Sequence, residues 1–151
     1  MGTHYKGKEE DKITLNAFIK LMRATDTINN HLNAHLSEEN LTISQFGVLE
    51  AVYHLGPLNQ KTLAEKLLKS GGNITLVIDN LEKCDFVERQ QDPNDRRAML
   101  IHLTEKGEEF ISSYFPEHLA HIKEEFDVLT QKEKKDLARI CKKLGLNQRN
   151  N

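Results

Sequence analysis

The stretch from Asn59 to Thr104 constrains the fold most, because two helical patterns are followed at once by two strand patterns. Apolar residues at helical spacing predict a short helix from about Gln60 to Leu67 and a second from about Asn73 to Lys83. A turn through Lys69 to Gly72 separates them. Two helices joined by so short a turn predict a helix-turn-helix, in which one side of the second helix stays exposed.

A β-hairpin is predicted directly after the second helix. Phe86 to Gln90 and Ala98 to Leu103 have strand propensity. Between them, Gln91 to Arg97 is predicted to form the hairpin tip, because it contains the turn sequence DPND followed by two arginines. A solvated tip in which Asp95 only pairs with a neighbouring arginine explains this composition equally well.

A helix exposed along one side fits the major groove of duplex DNA, and an arginine-bearing hairpin beside it suits the minor groove. The buried stripe of the second helix is predicted to be Ile74, Val77, Ile78 and Leu81. The opposite side then presents Asn73, Thr75, Leu76, Asp79, Asn80 and Lys83. Gly71 and Gly72 would leave N–H groups open to a phosphate there, although they can also serve only to make the turn.

Two helices are predicted before this unit. A long one runs from about Asp11 to Leu36, where helical spacing is uninterrupted by proline or glycine. The next runs from about Ile43 to His54, with Thr42 and Gln45 as its capping box.

Helices are also predicted after Thr104, which serves as the first cap. Pro116 is expected to bend its helix rather than end it, and Thr130 with Glu133 forms the capping box of the last helix. The first helix and these last helices are apolar over more length than the small unit formed by the helix-turn-helix and the hairpin can cover. A two-fold homodimer is therefore expected.

Composition limits the partners of this chain. Its 151 residues predict one domain, and a net charge of −2 with a pI near 6.4 argues against nucleic-acid binding unless cations gather on one face. The cations available for such a face are Lys61, Lys66, Lys69, Arg96 and Arg97. No apolar run approaches the ~20 residues that span a bilayer, so a cytoplasmic protein without a membrane partner is expected. Cys84 and Cys141 suit a reducing compartment, with a redox role left open.

Three phrases in order, LTISQFGVLEAVYHLGPLNQKTLAEKLL, SGGNITLVIDNLEK and VERQQDPNDRRAMLIHLTEKG, resemble the multiple-antibiotic-resistance-regulator (MarR) family. The resemblance extends over about Leu15 to Leu144. It implies a mainly α fold with a small β-hairpin wing, in which a winged helix-turn-helix is joined to N- and C-terminal dimerisation helices. Residues 1–151 would form one domain, with about 43–104 as the DNA-binding unit and about 11–36 and 105–146 as the dimerisation region.

The family pattern implies a role for each candidate DNA-binding residue. Ser70 to Asn80 match residues that enter the major groove, and Asp95 with the two arginines matches the wing. We expect Arg96 at the minor groove and Arg97 bracing the wing through Asp95. The full set of expected DNA contacts is Lys61, Ser70, Gly71, Gly72, Asn73, Thr75, Leu76, Asp79, Asn80, Asp95, Arg96 and Arg97. Asp85 stands where the family usually has glycine, but aspartate tolerates the left-handed backbone that a helix exit requires.

The resemblance also implies a regulator, usually a repressor, that binds palindromic operator DNA. Many members of the family release DNA when a small aromatic or phenolic compound binds near the dimer helices. Candidate pocket residues are Phe18, Met22, Phe46, Tyr53 and Tyr114, all of which are equally good core residues. The family's cysteine-based peroxide sensing is not expected, because the first helix has no cysteine.

Three other functions were weighed against a ligand-responsive DNA-binding regulator: a zinc-responsive regulator, a protein-binding module and an enzyme. His31 with His35, and His118 with His121, have spacings that place two imidazoles on one helical side, so a zinc-responsive regulator of the same fold is an alternative. We favour surface or interface histidines and expect no metal and no cofactor. A winged-helix module that binds only protein is a second alternative. No catalytic triad order or Gly-rich phosphate loop is present in the sequence, so an enzyme is not expected.

Overall fold

The computed structural model of the chain describes residues 2–67 and 71–146. Among these residues the fold is mainly helical with one small antiparallel sheet, as predicted. The helices are α1 Glu9–Ser37, α2 Ile43–Leu55, α3 Gln60–Lys66, α4 Gly71–Lys83, α5 Glu105–Phe126 and α6 Gln131–Gly145. The strands are β1 Leu58–Asn59, β2 Val87–Asp92 and β3 Asp95–Leu103. The residues form two compact units, one through Pro116 and one from Glu117.

The core of the first unit is where the helix-turn-helix and the sheet meet. Val48, Leu49, Leu63 and Ile101 are fully buried there. All four residues of the predicted α4 stripe, Ile74, Val77, Ile78 and Leu81, belong to this core. Burying large aliphatic side chains stabilises the fold by about 1.5–3 kcal/mol for each residue. The prediction of the buried side of α4 is confirmed.

The helix caps follow local sequence signals. Thr42 Oγ1 accepts from the N–H of Gln45 at 3.2 Å while the Gln45 side chain accepts from the N–H of Thr42 at 2.9 Å. Asn59 caps α3 by accepting from the N–H of Thr62 at 2.8 Å. The same reciprocal arrangement as in α2 joins Thr130 and Glu133 at the start of α6. The two capping boxes were predicted from the sequence, and in all three caps the side chain satisfies an N–H that the first helical turn leaves unpaired.

The sheet differs from the sequence prediction in two respects. Strand β1 was not predicted; it pairs with β3 through Leu58 opposite Ile101, and a two-residue strand has no periodicity to read. The predicted bounds of the hairpin tip, Gln91 to Arg97, are wrong. Strand β2 continues to Asp92 and β3 begins at Asp95, so only Pro93 and Asn94 form the turn. An exposed ribbon accepts polar side chains on both faces, so polarity does not mark where its strands end.

Contacts to main-chain carbonyl groups join the exit of α4 to the start of α5. Asp85 has the expected left-handed backbone, with φ of 61°, and its carbonyl accepts from Thr104 Oγ1 at 2.5 Å. The carbonyl of Phe86 accepts from the N–H of Thr104 at 3.1 Å. A Cβ added to Gly107 would overlap that carbonyl oxygen, so only glycine fits in this first turn of α5. The end of the helix-turn-helix is therefore fixed against the start of α5.

The second unit contains the latter part of α5 and all of α6. Pro116 lies inside α5, and the helix continues to Phe126 as predicted. None of the residues of α6 is buried, although the helix is strongly amphipathic. His118 is buried, and this burial, together with the nearby charge of His121, lowers its pKa below the ordinary value of 6.5.

We predict that Gly107→Ala lowers the free energy of unfolding by about 1–3 kcal/mol, because the new methyl group overlaps the Phe86 carbonyl. Gly145→Ala is the matched control, since a Cβ there meets nothing within 4 Å. That variant should leave stability unchanged or raise it by up to about 1 kcal/mol. Denaturant titration of both variants tests the prediction. Equal effects of the two substitutions would show that the contact does not constrain the chain.

We also predict that His118 makes the fold sensitive to acid. A histidine whose pKa is lowered by folding contributes stability above its unfolded pKa of about 6.5, and this stability is lost as the pH falls through the lowered pKa. The free energy of unfolding should therefore decline between about pH 7.5 and 5.5, and His118→Gln should reduce that decline. Denaturant titrations of the wild type and of His118→Gln at both pH values measure this decline in the free energy of unfolding. An identical decline in the variant would assign the sensitivity to other groups.

Candidate nucleic-acid interface

Helix α4 exposes a polar side because its apolar stripe is held in the core. Asn73, Thr75 and Leu76 are exposed, and Asp79 and Asn80 are half-buried. Leu76 is 59% exposed, which is a large fraction for an aliphatic side chain on a helix with a buried side.

The entrance of α4 leaves room for another molecule. A Cβ placed on Gly72 would meet nothing within 4 Å, so the backbone there can be approached closely. Gly71 begins the helix. Ser70 lies outside the described residues, so its predicted contact is not described by the structure.

A network centred on Arg89 of β2 connects the wing to both helices of the helix-turn-helix. Its Nη2 donates to Asp79 Oδ1 at 2.6 Å and its Nη1 donates to Glu82 Oε1 at 3.0 Å. Its Nε donates to Gln60 Oε1 at 3.3 Å. Gln60 Nε2 in turn donates to Thr75 Oγ1 at 3.0 Å. Three elements are thereby joined by side chains that are far apart in the sequence.

This network changes the electrostatics of the exposed side of α4. Asp79 was predicted to contact DNA, and in the structure it is paired with Arg89, whose side chain is only 20% exposed. Glu82, on the same helix, shares that guanidinium. Both carboxylates therefore have a cationic partner on a helix whose exposed side would otherwise repel phosphates. Arg89 and Gln60 were not predicted to belong to the site, because neither has a local motif.

The two wing arginines lie on β3 rather than in a loop. Both are exposed, and the N–H of Arg97 donates to Asp95 Oδ1 at 3.0 Å. Asp92 Oδ1 similarly accepts from the N–H of Asn94 at 2.9 Å. The aspartates of the turn thus stabilise the main chain of the tip.

An open cavity of about 400 Å³ lies between the start of α3 and the wing. Lys61 and Arg97 line it together with Asp95 and Met99. Two of the cations that were required to share one face are therefore close together, although the net charge of the whole chain is −2. Two others, Lys66 and Arg96, belong to the same helix-turn-helix and wing, and Lys69 is outside the described residues.

The five candidate pocket residues are divided between the core and the surface. Phe46 and Tyr114 are buried in the core, with ring centroids 5.6 Å apart in an edge-to-face arrangement. Tyr53 is half-buried and contacts the ring of His54. Phe18 and Met22 of α1 are exposed. The first pair therefore serves the core, whereas the α1 pair is open to a partner or ligand.

Metal-binding and membrane-spanning features are absent from the part of the chain that the structure describes. Across 2–67 and 71–146, no group of three or more histidine, cysteine, aspartate and glutamate side chains could hold a metal ion. None of the helices in these ranges has the length and apolarity needed to cross a membrane. Cys84 and Cys141 are exposed free thiols.

Comparison with known proteins identifies the family. The sequence model of the MarR family matches residues 41–99. The HTH-type transcriptional regulator MhqR of Bacillus subtilis is 37% identical over 134 residues, which cover 89% of this chain and 92% of that protein. An uncharacterised HTH-type regulator of the same organism, YkoM, is 34% identical over 139 residues, which cover 92% of this chain and 90% of that protein.

Solved structures show the same fold. Sco3205 of Streptomyces coelicolor, a MarR family transcriptional regulator crystallised in complex with DNA, superposes with a TM-score of 0.84 at 21% identity and covers 96% of this chain and 93% of its own. BpsR of Bordetella bronchiseptica, whose DNA binding is regulated by 6-hydroxynicotinic acid, has a TM-score of 0.77 at 22% identity, covering 85% of this chain and 98% of its own. The sequence relatives and the shared winged helix-turn-helix lead to one conclusion: the chain belongs to the MarR family of HTH-type transcriptional regulators, which are DNA-binding proteins and not enzymes.

Proposed function

We propose that this regulator is a repressor that binds palindromic operator DNA as a homodimer and releases it on binding a small aromatic or phenolic effector. The observation that carries the proposal is the exposed polar side of α4 next to the exposed arginines of β3. A helix of this kind reads base edges in the major groove, while arginines of a wing reach the minor groove. The DNA complex of Sco3205, a protein of the same fold, supports this use of the unit.

In this proposal residues of about 43–104 form the DNA-binding unit. Asn73, Thr75 and Leu76 read bases, and the N–H groups near Gly71 and Gly72 bind a phosphate.

The remaining contacts are proposed to surround α4. Lys61 and Arg97 bind the backbone from the cavity between α3 and the wing. Arg96 enters the minor groove. Asp79 acts indirectly, because its carboxylate is occupied by Arg89.

The homodimer is proposed from apolar side chains that the described residues leave uncovered. On α1, Ile13 is 65% exposed and Phe18 is 60% exposed. On α6, Ile140 and Leu144 are exposed at helical spacing. A second copy of the chain would bury these side chains, and two-fold symmetry is the commonest arrangement of soluble oligomers. The dimerisation region is therefore proposed as about 11–36 and 105–146.

The effector is proposed to bind near α1. Phe18 and Met22 offer exposed apolar surface there, and Tyr53 offers a half-buried ring with a hydroxyl group. The regulation of BpsR by 6-hydroxynicotinic acid supports a hydroxylated aromatic compound as the class of effector. Such a compound can release DNA only by binding one state of the dimer better than the other.

We predict that Arg96→Ala weakens binding to the promoter region upstream of the protein's own gene by on the order of tenfold. The slope of the logarithm of the affinity against the logarithm of the salt concentration should also become less negative by about 2, because a dimer loses two phosphate contacts. Fluorescence anisotropy over a salt series measures both quantities. Lys6→Ala removes the same charge from an exposed side chain that precedes α1 and lies outside the proposed DNA-binding and dimerisation regions, and it should leave both values unchanged. Wild-type affinity and salt slope in the Arg96 variant would remove the wing from the mechanism.

We further predict that Arg89→Met lowers affinity for DNA by about three- to tenfold, because Asp79 and Glu82 then face the phosphates unpaired. The free energy of unfolding should fall by about 1 kcal/mol, since both carboxylates are partly exposed. Adding Asp79→Asn to this variant should restore part of the DNA affinity. A double-mutant cycle on anisotropy data measures the coupling. Additive effects of the two substitutions would contradict the neutralising role of Arg89.

A further inference from the structure

Leu76 lies on the part of α4 that faces furthest from the core. At about 100° per residue, its position on the helix is about 150° from the centre of the buried stripe formed by Ile74, Val77, Ile78 and Leu81. The side chain of Leu76 is 59% exposed, whereas these other large apolar side chains of α4 are buried. Packing of the core therefore gives no reason for a leucine at this position.

Gly72 extends the apolar surface of Leu76 towards the start of α4. Residues four apart lie on the same face of a helix, and helical side chains lean towards the N-terminus, so Leu76 leans towards the turn that contains Gly72. A Cβ added to Gly72 would meet nothing within 4 Å, so the space beside the leucine is open. The start of a recognition helix is the part that reaches base edges in the major groove.

The polar neighbours of Leu76 on the outer side of α4 have hydrogen-bond partners within the protein. Thr75 Oγ1 accepts from Gln60 Nε2 at 3.0 Å, and Asp79 Oδ1 accepts from Arg89 Nη2 at 2.6 Å. Contact of either oxygen with a base has to compete with these hydrogen bonds. The leucine side chain has no hydrogen-bonding group, so it can contact a base without breaking any hydrogen bond.

We infer that Leu76 selects thymine at one position of each half-site by packing against the 5-methyl group of that base. The 5-methyl group of thymine is the apolar group that bases present in the major groove. A donor or acceptor of another base that was buried against leucine would lose its hydrogen bonds to water without replacement. The inference deepens the proposed function and rests on α4 entering the major groove.

The probe is the duplex that the wild-type protein enriches from a random library, with each thymine replaced in turn by deoxyuridine. This replacement removes only the 5-methyl group of the base. Wild-type affinity, measured by fluorescence anisotropy, should fall about fourfold at one thymine in each half-site, the value expected for one buried methyl group. At the same position, a 5-methylcytosine–guanine pair should be bound about fourfold more tightly than a cytosine–guanine pair, because it presents the same methyl group.

Leu76→Ala tests the assignment, because it withdraws the apolar contact from a side chain that contributes little to the core. The deoxyuridine effect at this position should drop from about fourfold to below about twofold. Leu76→Met keeps an apolar side chain of similar reach and should retain the effect. Leu55→Ala is the matched control, since it removes the same atoms from a leucine of α2 that is 58% exposed, and it should leave the effect as in wild type.

Three results would overturn the inference. No thymine of the selected duplex responds to deoxyuridine, the response persists in Leu76→Ala, or the response is lost equally in Leu76→Met and Leu55→Ala. The thermal unfolding midpoint of each variant shows whether a change in selectivity is a loss of fold. Failure of the proposed function gives a different result, because the wild-type protein would then enrich no sequence from the library, and both ideas would fall together.

Discussion

Burial of one side of α4 is the constraint on which the rest of the structure depends. Ile74, Val77, Ile78 and Leu81 are all held in the core, so the orientation of the helix about its own axis is fixed. The opposite side must then be exposed, and most of its side chains are polar groups of the kind that bind base edges. A rotation of the helix would bury polar side chains without partners, at a cost of about 1–3 kcal/mol for each group. The packing of the core thus determines which residues face outward.

Two further sets of contacts hold this helix in place. The Arg89 network joins α4 to α3 and β2, and it provides a cationic partner for two carboxylates on the surface of α4. The close approach of Gly107 to the Phe86 carbonyl fixes the exit of α4 against the start of α5. The exit of α4 and the start of α5 are therefore joined directly, through contacts to the carbonyl groups of Asp85 and Phe86.

Much of the fold could be predicted from the sequence, because the signals are local. Helical spacing predicted the buried side of α4, and the Thr42 and Thr130 capping boxes marked two helix starts. The left-handed Asp85 followed from its place at a helix exit. By contrast, strand β1 forms only because it pairs with β3, which is distant in the sequence. The strands of the wing were predicted too short, because the polar residues of an exposed hairpin have the composition of a loop. Arg89 has partners in α3 and α4, and no spacing in the sequence connects it with them.

The most direct test of the account is a hydroxyl-radical footprint, combined with guanine N7 methylation interference, on the duplex that the protein selects. Two α4 helices related by two-fold symmetry predict two interference sites in the major groove, with centres about one helical turn or ~34 Å apart. The wings predict protection of the minor groove outside each site. A single asymmetric site, or protection confined to the minor groove, would contradict the claim that a pair of α4 helices reads the DNA.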